Sequence, residues 1–266
     1  MNIGIVGCGG RMGRMLIETV MATEGATLAG GTEQPGSPFI GQDLGLLVGP
    51  EAVGAVVMDD AHALFEASDV VIDFTVPAAT AGHAACAFDT GTAMVIGTTG
   101  LSADQQSVVE GAAEKAAVVQ AGNMSLGVNL LVGLARQAAD LLGPDYDIEV
   151  VEMHHKHKID APSGTALMLG KAAAEGRGID HDANAVLSRE GHTGPRPDQA
   201  IGYATLRGGD VVGDHTVIFA GPSERIELTH RAASREIFAR GAVRAALWCD
   251  GRAPGLYSMR DVLGLA

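Results

Sequence analysis

The residues best suited to chemistry lie together, from Glu152 to Thr165: Glu-Met-His-His-Lys-His-Lys-Ile-Asp-Ala-Pro-Ser-Gly-Thr. His154, His155, Lys156, His157 and Lys158 follow one another in a chain that is acidic as a whole. A local positive pocket of this kind suits an anionic substrate. Histidine can act as a general acid near neutral pH, and lysine can hold a carboxylate or donate a proton. Pro162-Ser163-Gly164-Thr165 then opens a helix, and the N–H groups of Gly164 and Thr165 can take a carboxylate there. Three other readings compete. His154, His155 and His157 could bind a metal, although the interleaved lysines would repel a cation and no distant ligand set is evident. The run could be a solvated, charged strand end. The Pro-Ser-Gly-Thr turn could bind phosphate without catalysis, which leaves the histidines without a task.

A second group lies near the N-terminus, where Gly7-Cys8-Gly9-Gly10-Arg11-Met12-Gly13 follows the apolar run Ile3-Gly4-Ile5-Val6. Glycines let a backbone approach a pyrophosphate, and a helix start offers it unsatisfied N–H groups and a positive dipole end. The spacing is a looser variant of GxGxxG, with the third glycine at position 13. Glu33 ends the second apolar run, where a carboxylate accepts hydrogen bonds from ribose hydroxyls. Strand, glycines, helix and acid in this order point to a dinucleotide, against the alternative of a tight turn without a ligand. Two more loops follow apolar runs, Gly97-Thr98-Thr99-Gly100 and Ala121-Gly122-Asn123-Met124-Ser125, and both are placed to touch the same cofactor. Asp73-Phe74-Thr75 ends another strand and either borders the cofactor or caps the next helix.

The elements that must position these groups can be read from periodicity. Strands are expected at Ile3–Val6, Ala26–Thr32, Ala55–Met58, Val70–Phe74, Ala93–Ile96 and Val118–Gln120. Helices are expected near Arg11–Met21, His62–Ala67, Ala78–Asp89 and Ser102–Ala116, the last opened by a capping box of Ser102 with Gln105. Apolar strands alternating with helices imply a parallel sheet covered on both faces. The pattern then changes. A helix over Val128–Leu142 leads to a strand at Asp147–Met153 and a helix at Thr165–Glu175. Extended runs follow at Ala185–Ser188, Ile201–Leu206, His215–Phe219 and Arg225–Arg231, implying a second, mainly antiparallel or mixed sheet. A last amphipathic helix carries Ile237, Phe238, Gly241, Ala245 and Trp248 on one stripe, and its expected place is back on the first domain.

Composition excludes several classes. Lys and Arg number 18 against 32 Asp and Glu, a net charge of −14, which removes the basic footprint of a nucleic-acid binder. Aromatics at 4% disfavour base-stacking platforms. Three scattered cysteines, Cys8, Cys86 and Cys249, form neither a disulfide framework nor a zinc ribbon and fit a reducing cytoplasm. Cys8 is read as a small filler in the turn, and Cys86 and Cys249 fall in helical stretches, against thiol-based aldehyde chemistry. The first charge is Arg11, with no positive region before the apolar stretch, so no signal peptide is expected. The uncharged run Ala116–Ala135 holds Gln120, Asn123, Ser125 and Asn129 and reads as a buried strand, loop and helix, not a membrane span.

Val6 through Gly13, Asp73-Phe74-Thr75-Val76-Pro77, Gly97 through Gly100, the Glu152–Thr165 stretch and the ending Met259-Arg260-Asp261-Val262-Leu263 together resemble the dihydrodipicolinate reductase family. The resemblance runs almost the whole length. It implies a Rossmann-type parallel-sheet domain, residues 1–125 and 233–266, and a smaller α+β domain, residues 126–232, that binds substrate and forms the centre of a cytoplasmic homotetramer. It implies hydride transfer from NAD(P)H to a cyclic dicarboxylated unsaturated imine, taking 4-hydroxy-tetrahydrodipicolinate to tetrahydrodipicolinate in lysine and diaminopimelate biosynthesis. Carried over by motif, His154 is the proton donor and Lys158 a second catalytic group, while His155, Gly164 and Thr165 bind substrate carboxylate. Gly7, Cys8, Gly9, Gly10, Arg11, Met12, Glu33, Gly97, Thr98, Thr99, Ala121, Gly122, Asn123 and Met124 line the cofactor, and no metal is implied. Many members place an arginine after the acid that ends the second strand, where it meets the 2′-phosphate of NADPH. Here Gln34 and Pro35 follow Glu33, so NADH is expected to serve at least as well as NADPH. Two rivals are another two-domain nicotinamide dehydrogenase, weakened by the missing substrate-domain cysteine, and a non-catalytic dinucleotide sensor, which leaves His154–Thr165 unexplained.

Overall fold

A computed structural model of the chain describes residues 1–265. In chain order, β1 (Asn2–Val6) is followed by α1 (Arg11–Met21), β2 (Thr27–Thr32), β3 (Val57–Met58), α2 (Ala61–Glu66), β4 (Val70–Asp73), α3 (Pro77–Thr90), β5 (Ala93–Ile96), α4 (Ala103–Ala112) and β6 (Ala117–Gln120). Next come α5 (Leu126–Leu142), β7 (Asp147–His154), α6 (Gly164–Arg177), α7 (His181–Asn184), β8 (Ala185–Val186), β9 (Ile201–Arg207), β10 (Gly213–Gly221) and β11 (Glu224–Ala232). The chain closes with α8 (Glu236–Trp248), β12 (Gly255–Tyr257) and α9 (Met259–Leu263). Two compact units result: residues 1–125 with 236–264, and residues 126–235 with 265.

The first unit is a seven-stranded sheet in the order β12-β6-β5-β4-β1-β2-β3, with every strand pair parallel. Its central strands are apolar throughout because helices cover both faces, and Ile3, Ile5, Val71, Ile72, Val95 and Val118 are fully buried. The strand order reverses between β1 and β4, and a sheet of this kind binds its ligand beyond the carboxyl ends of the strands at that point. Helix α8 packs on α1, β4 and β5, so the last part of the chain completes the first core. No helix among the described residues is long and apolar enough to cross a membrane, and the uncharged run divides into β6, a loop and the first part of α5.

The second unit is a five-stranded mixed sheet in the order β11-β10-β7-β9-β8. Strand β10 runs antiparallel to both neighbours, while β9 runs parallel to β7 and β8. Its core joins Leu131 and Ala135 of α5 and Leu169 and Ala173 of α6 to Ile148, Val150, Val217 and Phe219 of the sheet. Strand β7 alternates with period 2, so Ile148, Val150, Glu152 and His154 all turn inward. The rule that buries two aliphatic side chains therefore also buries two polar ones.

Some boundaries differ from the periodicity. The expected strand Ala55–Met58 pairs with β2 only over Val57–Met58, because Val56 bridges Asp43 in antiparallel fashion and Ala55 O accepts from Leu44 N–H at 2.8 Å. Helix α4 ends at Ala112, not Ala116, since Glu114 N–H turns back to Gly111 O at 3.1 Å. Its start agrees, with Ser102 and Gln105 forming the capping box. Strand β12 and helix α9 were not expected; three residues after a proline carry no periodicity, although Ser258 and Asp261 do form a second capping box.

The packing of α8 gives the first test. A Cβ at Gly241 would collide with the carbonyl oxygen of Met124, whereas one at Gly82 in α3 would meet nothing within 4 Å. We expect Gly241→Ala to lower stability by roughly 1–3 kcal/mol through overpacking and Gly82→Ala to raise it by up to about 1 kcal/mol through helix propensity. Thermal melting of both variants checks this, and a Gly241→Ala protein melting with the parent would contradict the close approach of α8.

Candidate active site

The second unit gathers its polar groups around Glu152, which is 1% exposed. Glu152 lies on the central strand, opposite His215 on β10 and Thr205 on β9, while His154 lies opposite Arg207. Arg207 forks onto the carboxylate, with Nη1 2.8 Å from Oε2 and Nη2 2.9 Å from Oε1. His154 Nδ1 is 2.6 Å from Oε2, and the Ser163 N–H donates to Oε1 at 3.0 Å. A carboxylate can only accept, so Nδ1 carries the proton and Nε2 is left for other work. That nitrogen lies beside Gly213, where any side chain would crowd it. Burial alone would raise the Glu152 carboxyl, but Arg207, His154 and the Ser163 N–H outweigh it and hold the group below its usual range. For His154 burial is the largest effect and pushes the imidazole down; Glu152 opposes this, Lys158 and Arg207 reinforce it, and the balance is downward.

The rest of the His-Lys stretch is a loop. His155 donates its N–H to Val211 O at 2.7 Å, and its buried Nδ1 has no hydrogen-bond partner among the described residues. Lys158 Nζ pairs with Asp160 Oδ1 at 2.9 Å, and Asp160 O accepts from Arg207 Nη2 at 2.6 Å. Ser163 is the N-cap of α6, accepting from Ala166 N–H at 3.2 Å. Gly164 and Thr165 are thus the first two residues of a helix. Through Ser163 the same Glu152 carboxylate fixes this helix start and His154. His215 Nε2 sits 3.2 Å from Ser163 Oγ, and its ring stands edge-on to His154 at 5.0 Å. Among the described residues no group of three His, Cys, Asp or Glu side chains is placed to hold a metal ion.

In the first unit the glycine turn, Glu33, and the loops after β5 and β6 all lie at the carboxyl ends of strands. Gly7 has φ +67°, a conformation that side chains rarely adopt, and a Cβ at Gly13 would strike the Gly7 carbonyl and the Cys8 backbone. These two glycines let α1 begin hard against β1, with its N-terminus facing the turn. The Gly7 and Cys8 N–H groups reach Thr32 O at 2.8 and 3.1 Å, and the Gly9 N–H donates to Glu33 Oε1 at 2.8 Å. Cys8 turns its fully buried thiol inward, and burial with Glu33 pushes it up to about 12, so only its backbone faces the turn. Arg11 is exposed, and Arg14, which sequence reading passed over, braces the turn by donating to Gly9 O at 3.1 Å and Leu47 O at 2.7 Å.

The loops beyond β4 and β5 are tied by Asp73, which is fully buried. Its Oδ1 accepts from the Thr75 N–H at 2.7 Å and from the Thr75 and Thr98 hydroxyls at 2.6 and 3.1 Å, and its Oδ2 lies 2.8 Å from His83 Nδ1. Burial opposes the charge, but His83 and Thr75 hold the carboxyl below its usual range. Gly97 N–H donates to Asp73 O at 2.8 Å, Ala121 N–H to Ile96 O at 3.2 Å, and Ser125 N–H to Asn123 Oδ1 at 2.8 Å. Thr99 and Gly122 stand in these loops, and Met124 is buried next to α8. A pocket of about 300 Å³ lies alongside, lined by Gly7, Glu33, Gln34, Thr75, Val76 and His83 among others. A glycine cradle, a helix N-terminus, an acid at the end of β2 and a pocket beside them fit the adenosine and pyrophosphate of a dinucleotide.

Buried His215 generates a test. Burial pushes its imidazole from 6.5 down to about 4, with His154 adding to the effect. Between those values the unfolded chain binds a proton that the folded chain does not, so stability is lost as pH falls from about 6.5 toward 4. This histidine alone accounts for up to about 3 kcal/mol of that loss. We expect denaturant midpoints of His215→Asn to fall less over this range than those of the parent; parallel pH curves would contradict the burial of a neutral imidazole.

Comparison with known proteins shows the family. Family models described as dihydrodipicolinate reductase, N-terminus and C-terminus, match residues 1–124 and 127–263. A protein of Afipia carboxidovorans named 4-hydroxy-tetrahydrodipicolinate reductase is 57% identical over 265 residues, covering 100% of this chain and 97% of its own. One of Brucella abortus with the same name is 54% identical over 266 residues, covering 100% and 99%. The solved structure of a dipicolinate-bound dihydrodipicolinate reductase from a Paenisporosarcina species has the same fold, with a TM-score of 0.77 over 97% of both chains at 24% identity. The chain belongs to the dihydrodipicolinate reductase family.

Proposed function

We propose that the chain reduces 4-hydroxy-tetrahydrodipicolinate to tetrahydrodipicolinate with a reduced nicotinamide dinucleotide, the 4-hydroxyl leaving as water while a hydride and a proton are added, a step of lysine and diaminopimelate biosynthesis. The relatives named for this activity support the reaction. The observation that carries the residue roles is Glu152, whose one carboxylate holds both His154 and the start of α6. A proton-delivering group and a carboxylate-binding helix end then belong to one rigid piece, as a dicarboxylated substrate needs.

When bound, the dinucleotide supplies the hydride. The first unit holds it: Gly7 through Met12 and the N-terminus of α1 take the pyrophosphate, and Glu33 accepts from the ribose hydroxyls. Gly97, Thr98, Thr99 and Ala121 through Met124 complete its lining. With Glu33 present and Gln34 in place of a cation, NADH serves at least as well as NADPH. The second unit holds the substrate. His155 and the N–H groups of Gly164 and Thr165 take a carboxylate, and Lys158 exchanges Asp160 for substrate. His154 delivers a proton from Nε2 while Glu152 stabilises the imidazolium. Burial favours the neutral form of His154 in the free chain. Two substrate carboxylates favour its charged form, so substrate binding itself loads the proton. Assembly as a cytoplasmic homotetramer fits the partly exposed Leu206 and Ile226 on the second sheet and three cysteines without disulfides.

A coupled assay that makes the unstable substrate in place and follows loss of NADH tests the reaction. We expect His154→Ala to lower kcat by roughly a hundred- to ten-thousand-fold, the usual value of general acid catalysis, with a smaller change in KM. Activity of the parent should fall as pH rises through the pKa of His154, and this limb should lie at higher pH in kcat than in kcat/KM. A variant with near-full kcat would remove His154 from the mechanism, and coincident limbs would remove the substrate-loaded proton. Pyridine-2,6-dicarboxylate, planar and doubly carboxylated, should inhibit competitively with substrate; inhibition insensitive to substrate concentration would count against Gly164 and Thr165 as its site.

A further inference from the structure

The pocket beside Glu33 contains a second carboxylate. Strands β2 and β3 pair with Thr32 opposite Met58, and the Glu33 N–H donates to Met58 O at 3.0 Å. Glu33 and Asp59 are the next residues, so they leave neighbouring strand ends side by side, with the strands about 4.8 Å apart. Both line the same pocket. Among the described residues no Lys or Arg lines it, and His83, which does, has Nδ1 engaged by Asp73 at 2.8 Å. Glu33 is engaged as well, through the Gly9 N–H at 2.8 Å. Asp59 is exposed and makes no hydrogen bond or ion pair with the described residues. Nor is it needed to cap α2, since Asp60 does so by accepting from Ala63 N–H at 3.0 Å.

We propose that Asp59 is a specificity-determining residue of this pocket, its carboxylate acting with that of Glu33 to exclude a 2′-phosphate and select the non-phosphorylated dinucleotide. The proposal rests on the dinucleotide reading given above. A 2′-phosphate carries between one and two negative charges at neutral pH, and in this pocket it would meet two carboxylates and no Lys or Arg of the lining. Ribose hydroxyls can instead donate hydrogen bonds to the same oxygens. The first carboxylate is the acid common at the end of a second strand; the second comes from the outermost strand and adds repulsion without making any bond of its own.

The test is direct binding of NADH and NADPH to the whole protein, followed by cofactor fluorescence, for the parent and for Asp59→Asn, which keeps shape and removes charge. We expect the ratio of Kd for NADPH to Kd for NADH to fall roughly five- to tenfold in the variant through tighter NADPH binding, as loss of one nearby charge implies. Added salt should narrow the ratio more in the parent than in the variant, because the repulsion is screened. A ratio unchanged by the substitution, or changed only through weaker NADH binding as an adenine contact would give, overturns the proposal. So does a parent that binds NADPH the more tightly. If the parent binds neither dinucleotide, the dinucleotide reading itself falls, and the proposal with it.

Discussion

A carboxylate taken out of water stays ionised only where donors and positive charge replace the water, and the second unit is organised around meeting that condition for Glu152. Arg207 supplies a forked, charge-assisted pair, the Ser163 backbone a third bond and His154 a fourth. Each partner comes from a different place in the chain, so satisfying one side chain fixes the end of β9, the start of α6 and the end of β7. Removing Arg207 or Glu152 would leave the other charge buried without its partner, which costs far more than the pair contributes when intact.

The charge of the molecule is arranged on two scales. Overall it is strongly acidic, yet the loop after β7 is basic, and the pocket beside the glycine turn is lined by two carboxylates and, among the described residues, by no Lys or Arg. His154 lies between opposing influences: burial, Lys158 and Arg207 disfavour its charge, and Glu152 favours it. A group so balanced responds strongly to a ligand that brings charge of its own. A fully exposed histidine would respond less, since water would screen the ligand.

Local features of the site were legible in the sequence because the chemistry is local. The glycine turn abuts its strand and helix, and Ser163, Gly164 and Thr165 stand together as an N-cap and a first turn. Helix α1 and strand β5 fall where periodicity puts them. The supporting residues were not legible, for a physical reason. Arg207 lies 55 residues from Glu152, and His215 lies 52 from Ser163, so only the register of β7 with β9 and β10 brings them together. One signal was available: Ile148, Val150, Glu152 and His154 share the inward face of β7, and an inward acid on an apolar face demands a cation somewhere. Asp73 and His83 are similar, since ten residues in sequence become a contact only when α3 folds back beside β4.

The second unit is inserted between β6 and α8 of the first, and β12, which pairs with β6, lies close to the end of the chain. A ribosome releasing this chain from its N-terminus finishes residues 126–235 before it has made the helix and edge strand that the first core lacks. Every residue of the second core is therefore made while the first sheet still has β6 as an unpaired edge.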